Sequence, residues 1–205
     1  MYICVEGNIG AGKTTFAKNL AKQMKANFLA ERFKKNSFLP LFYRSKMQIA
    51  FHLEYSFLSD RYTQLNKYFN LNKKKNTIAD FFIYKCLWFA KCNLSKKEYA
   101  FYKNQFYILE QNIPKPELVI YINTSAKNLL VNIKERARAY ESSIDAEYLN
   151  TITKNFDKGV LKLENTPVLE IHVSTYSHDT YKKMIKVTQD VLKKGINFKY
   201  QKIKI

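Results

Sequence analysis

Two spacings of apolar residues alternate along the chain. Short, largely apolar runs at 2–5, 27–30, 77–79, 118–122 and 168–172 read as buried strands of a parallel sheet, packed on both faces. Between them apolar positions return every three or four residues, as helices require. Phe16, Leu20, Ala21 and Met24 mark a helix opening at Lys13, and Phe51, Leu58, Tyr62 and Leu65 mark a long one over 47–68. Tyr148, Leu149, Ile152 and Phe156 mark a helix starting at Asp145, and Met184, Val187 and Val191 a last one over 179–194. Residues 36–45, with Pro40, predict a short irregular helix, and 125–133 a regular one. The stretch 81–90 is apolar almost all round and 99–109 is dense in aromatics, so a second copy of the chain is expected to cover part of both. Pro114 and Pro116 end the aromatic helix, and 198–205 is a basic tail without an assigned element. Five strands alternating with helices predict an α/β, doubly wound architecture: a five-stranded parallel sheet with helices on both faces, three layers in all.

At 205 residues and 46% apolar content the chain suits one domain over 1–205. No run of about 18 uncharged apolar residues is present, and the chain enters a strand at once, so a cytoplasmic protein without membrane contact is expected. Cys4, Cys86 and Cys92 have neither an even count nor a CxxC spacing, which predicts free thiols. The net charge of +18 would ordinarily suggest nucleic acid. Here the lysines are scattered, with short runs at 73–75, 182–183 and 193–194, and the chain is also heavy in Asn, Ile, Tyr and Phe, as A+T-rich codon usage produces. No nucleic-acid partner is expected; anionic substrates give the positive charge a milder use.

The chemistry begins at Gly7, Asn8, Ile9, Gly10, Ala11, Gly12, Lys13, Thr14 and Thr15, a complete GxxxxGKT phosphate loop between the first strand and first helix. Its glycines let backbone N–H groups turn toward a polyphosphate, the helix dipole faces the charge, Lys13 reaches the outer phosphates and the Thr14 hydroxyl holds Mg²⁺. Glu31 and Asp80 each follow a strand at the edge where ligands bind in open parallel sheets. Glu54 and Arg61, seven apart on the long helix, share a face that is either a solvated stripe or a pocket wall. Arg136 and Arg138 lie in a polar segment between helices, from which a lid would bring guanidinium groups over phosphates.

The phosphate loop, the glutamate after strand two, the Phe51-His52-Leu53-Glu54 helix, the Phe89-Ala90 pair and the RxRxxE segment from Arg136 to Glu141 together resemble the deoxynucleoside kinases, especially the bacterial deoxyadenosine and deoxyguanosine kinase branch. The resemblance covers nearly the whole chain. It implies a P-loop NTPase-type fold with a helical lid at about 134–142, ATP and Mg²⁺ as cofactors, a deoxynucleoside as the other partner, and transfer to its 5′-hydroxyl, with a purine favoured. Glu31 then matches the general base, Tyr43 and Glu141 the pair at the sugar 3′-hydroxyl, Arg61 an arginine bordering the base, and Arg136 and Arg138 the lid arginines. Glu54 stands where the family usually has a base-reading glutamine.

At strand three the family has an acid followed by arginine and serine, whereas this chain has Ala79-Asp80-Phe81. Asp80 takes the metal role if the match slips by one residue; no arginine follows, and Lys85 is the nearest cation. Asp60, Arg61 and Tyr62 also spell a motif of thymidylate kinases, but inside the long helix, where it is read as coincidental. Two rivals stand beside this reading. A thymidylate-type monophosphate kinase would need cations where the chain offers Glu31, Tyr43 and Glu54, and a noncatalytic nucleic-acid-binding protein would leave the phosphate loop and lid without a role.

Overall fold

A computed structural model describes every residue except 34, 35, 45, 73 and 74, and every side chain except those and 46 and 47. Of the lysine run 73–75, only Lys75 is therefore among the described residues.

Strand β1 (Tyr2–Gly7) is buried along its whole length. It lies between β3 (Thr77–Ala79) and β4 (Leu118–Asn123), with β2 (Asn27–Leu29) outside β3 and β5 (Val168–His172) outside β4. Every pairing is parallel. The alternation of strand side chains splits the core in two. Tyr2, Cys4, Val119 and Tyr121 face a cluster built from α3 (Lys46–Leu71), α4 (Lys85–Asn93), α5 (Lys96–Glu110) and α7 (Ala146–Val160). Ile3, Val5, Ile120 and Ile122 face α1 (Lys13–Gln23), α6 (Ala126–Arg136) and α8 (His178–Lys194). A satellite core joins α2 (Phe38–Arg44) to the start of α3. Each fully buried side chain, such as Phe16 or Phe106, contributes about 1.5–3 kcal/mol.

Polar punctuation sets the helix starts. Ser95 and Glu98 form a reciprocal capping box on α5, Ser125 caps α6, Asp145 caps α7 and Ser177 caps α8. Helix α6 ends at Ala137 in a left-handed conformation, followed by a 3₁₀ turn over Ala139–Glu141. The cysteines are free, as expected.

Three expectations change. The basic tail holds a sixth strand, β6 (Tyr200–Lys204), parallel to β5. The expected helix over 81–90 starts only at Lys85; before it the chain turns through i to i+3 hydrogen bonds from Phe82, whose amide donates to the Glu6 carboxylate. Lys85, Cys86, Leu87, Trp88 and Ala90 of α4 are also buried within a single chain, against α3, α5 and α7, so a second copy is not needed to cover them. The outer face of α5 is different: Phe101, Tyr107 and Ile108 are exposed.

Candidate active site

Where β1 gives way to α1, Gly10 and Gly12 hold left-handed φ angles of 84° and 76°. A Cβ on Gly10 would lie 2.7 Å from the Leu129 carbonyl oxygen, so glycine alone meets both demands there. Helix α1 has no side-chain cap at Gly12, and the Lys13 and Thr14 amides have no backbone acceptor among the described residues. These N–H groups and the helix dipole make an anion site. Asn8 anchors the loop, donating to the Leu149 carbonyl and to Thr153 Oγ1, each at 2.8 Å. Lys13 Nζ donates to the carbonyls of Gly7 at 2.7 Å and Asn8 at 2.9 Å. Burial, helped by the charge of Lys85, lowers the Lys13 pKa to about 8 against the pull of Glu6, Glu31 and Asp80.

The Thr14 hydroxyl donates to Asp80 Oδ2 at 2.6 Å, and Asp80 Oδ1 accepts from the Glu31 amide at 2.7 Å. The loop, β3 and the segment after β2 thus meet at one carboxylate. A hydroxyl and a carboxylate side by side at the phosphate loop fit Mg²⁺, which takes one or two protein oxygens and completes its shell with phosphates and water.

Across the cleft, Arg61 grips Glu31 Oε1 through Nε and Nη2, both at 2.7 Å, while Lys85 Nζ lies 3.0 Å from Oε2. Burial alone would raise the Glu31 pKa; Lys85, Arg61 and Lys13 outweigh it and hold the carboxyl at about 2. Arg61 also donates to Cys86 Sγ at 3.2 Å. Glu54 is buried beside them, with Oε1 accepting from Asn93 Nδ2 at 2.6 Å. The shared face of Glu54 and Arg61 is therefore a pocket wall, while Asp60 is exposed on the other side of α3.

The segment over 136–141 borders the same space. Glu141 is buried and accepts from Arg136 Nε at 2.7 Å and Arg138 Nη1 at 3.2 Å. Tyr43 of α2 stacks on Tyr140 with ring centroids 6.0 Å apart, and burial next to Glu141 raises its pKa. Lys13, Thr14, Glu31, Tyr43, Glu54, Arg61, Asp80, Arg136, Arg138 and Glu141 all line one cleft of about 810 Å³, part of it open to solvent.

Sequence reasoning passed over two members. Glu6 is fully buried at the end of β1, accepts from the Gly7 and Phe82 amides at 2.9 Å each, and lies 3.9 Å from Lys13 Nζ and 3.8 Å from Lys85 Nζ. Burial raises its pKa, with Lys85 and Lys13 opposing. An acid directly before the first loop glycine was the available signal. Asn93 stands at the end of α4, where nothing in its spacing distinguishes it from a helix terminus.

The deoxynucleoside kinase family model matches residues 3–197. The chain belongs to the deoxynucleoside kinase family. The kinase is 34% identical over 181 residues to deoxyguanosine kinase from Bacillus subtilis, covering 87% of each chain. It is 30% identical over 149 residues to deoxyadenosine kinase from Lactobacillus acidophilus, covering 68% of each. The solved structure of deoxyadenosine kinase from M. mycoides superposes with a TM-score of 0.81 at 23% identity over 95% of this kinase and all of that chain, a likeness of fold.

Proposed function

We propose that this kinase transfers the γ-phosphoryl group of ATP to the 5′-hydroxyl of a purine deoxynucleoside, with residues 1–205 acting as one unit. The observation that carries the reading is the single cleft in which the phosphate loop and the Thr14 to Asp80 hydrogen bond face the Glu31, Lys85 and Arg61 cluster.

In this reading residues 7–15 cradle the triphosphate, Lys13 steadies the outer phosphates, and Arg136 and Arg138 leave Glu141 to reach the transferring group. Thr14 and Asp80 would hold Mg²⁺, which supplies charge neutralisation on the phosphates. Glu31 orients the acceptor hydroxyl and takes its proton; with a pKa of about 2 it is a weak base. A loose phosphoryl transfer tolerates this, since the proton need leave only late. Tyr43 and Glu141 hold the 3′-hydroxyl, and Glu54 and Arg61 border the base.

A nucleoside suits the acceptor side better than a monophosphate, because its cations Arg61 and Lys85 are already engaged by Glu31 and Glu6. Outside the site, we assign the exposed aromatic face of α5 to a homodimer contact and the enzyme to the cytoplasm, without a nucleic-acid or membrane partner. Among the described residues no helix is long and apolar enough to cross a membrane. A coupled ATPase assay against the four deoxynucleosides and dTMP tests the function. Turnover with a purine deoxynucleoside is expected; turnover with dTMP alone would move the protein to the monophosphate kinases.

A further inference from the structure

Glu54 Oε2 is buried and has no hydrogen-bond partner among the described residues. Its twin oxygen is fixed: Oε1 accepts from Asn93 Nδ2 at 2.6 Å, and Asn93 Oδ1 accepts from the Tyr148 hydroxyl at 3.1 Å. The Tyr102 hydroxyl donates to the Glu54 backbone carbonyl at 3.3 Å, not to the carboxylate. A buried carboxylate oxygen without a donor is costly. Its place in the wall of the cleft means that a bound molecule can supply the missing partner.

We propose that Glu54 selects the base by its charge, taking a guanine edge as a carboxylate and an adenine edge as a carboxylic acid. The inference rests on the deoxynucleoside reading of the cleft. An ionised carboxyl only accepts, and guanine offers it two neighbouring donors, N1–H and N2–H. Adenine presents N6–H beside the lone pair of N1, which a carboxylate repels. A protonated carboxyl offers one O–H and one acceptor oxygen, the complement of the adenine edge.

The charged and titratable groups around Glu54 are Arg61 on its own helix, Lys85, Cys86 and Cys92 of α4, Tyr102 of α5, Tyr43 of α2 and Tyr148 of α7. Burial raises the Glu54 pKa to about 7, against the Asn93 hydrogen bond and the charges of Arg61 and Lys85. Both charge states are therefore populated near neutral pH.

Calorimetric titration of the full chain with deoxyguanosine, deoxyinosine and deoxyadenosine, without ATP, tests this at about pH 6 and about pH 8, on either side of that value. The preference for deoxyguanosine over deoxyadenosine should grow about a hundredfold between the two, because the competent charge state becomes about tenfold more populated for one base and about tenfold less for the other, with deoxyinosine, which lacks N2–H, intermediate at the higher pH. Deoxyguanosine binding should release a proton and deoxyadenosine binding take one up, read from the enthalpy difference between two buffers. Glu54→Gln, which always donates and accepts, should favour deoxyadenosine at both pH values. A wild-type ratio that does not move with pH, or a Glu54→Gln ratio equal to the wild-type one, overturns the proposal while leaving the kinase reading standing. Absence of binding by any of the three overturns both.

Discussion

Lys85 Nζ lies 3.0 Å from Glu31 Oε2, so a cation from the first residue of α4 sits on the acid proposed to face the acceptor hydroxyl. Both groups are largely buried, and Glu6 holds the same amine from the other side at 3.8 Å. The Lys85 pKa is raised, because Glu31 and Glu6 overcome the effect of burial.

Lys85→Met should therefore lower kcat by about 10² or more, the scale of losing one preorganised electrostatic group. It should also destabilise the fold by about 3–5 kcal/mol, because Glu6 and Glu31 lose a buried partner. Lys85→Arg keeps the charge and should recover most of both. Steady-state kinetics beside thermal melts would separate the effects; a Met variant with wild-type kcat would remove Lys85 from the reaction.

Glu31→Gln keeps the size of the side chain and removes its charge. A base held at about pKa 2 contributes mainly orientation, so kcat should fall by about 10², the low end of general-base effects. The sign of the shift fixes the pH behaviour. A depressed carboxyl stays ionised until the pH falls toward about 2, so wild-type kcat should show no Glu31 titration between about pH 5 and about pH 8. A kcat limb near pH 4.5 in the wild type, absent in the variant, would contradict this.

The phosphate loop was legible because each of its demands is local: an apolar strand, glycines at fixed offsets and a helix start. Glu31 and Asp80 were legible for a related reason, since each closes a short apolar run. Lys85 was harder to place. Apolar residues from Phe81 onward look like one helix, but the Phe82 amide is held by the Glu6 carboxylate, a long-range bond that no local pattern reveals. The tail was unreadable as a strand because one face carries Tyr200 and Lys202, which reach the buried Glu170 carboxylate, while Ile203 and Ile205 pack toward the other core cluster. A basic edge strand of this kind is also guarded against pairing with other chains.

Asp80→Asn tests the proposed Mg²⁺ site with little risk to the fold. The amide oxygen can still accept from the Glu31 N–H, and the amide N–H₂ can donate to Thr14 Oγ1, replacing a bond now made at 2.6 Å in the other direction. What is lost is the charge. The Mg²⁺ concentration for half-maximal rate should rise about tenfold or more and kcat should fall. Asp60→Asn, at an exposed position, should change neither by more than about twofold. The reverse pattern would bring the Asp60-Arg61-Tyr62 motif back as the functional one.

The exposed face of α5 sets the last expectation. Phe101, Tyr107 and Ile108 are 52%, 39% and 59% exposed, and the Phe101 ring lies 6.2 Å from that of Phe51 on α3, which in turn stacks on the half-exposed Tyr55. The Phe101, Phe51 and Tyr55 rings thus join two long helices in one apolar patch, of the kind that marks an interaction site. A two-fold axis between copies would set α3 and α5 against their equivalents, burying each side by the same contact. Phe101→Lys combined with Ile108→Lys puts two like charges on each side of that contact without touching the core. The wild type should sediment as a dimer at micromolar concentration and the double variant as a monomer, with the cleft's nucleoside affinity retained. A wild-type monomer would assign the aromatic face to some other occupant and remove the dimer.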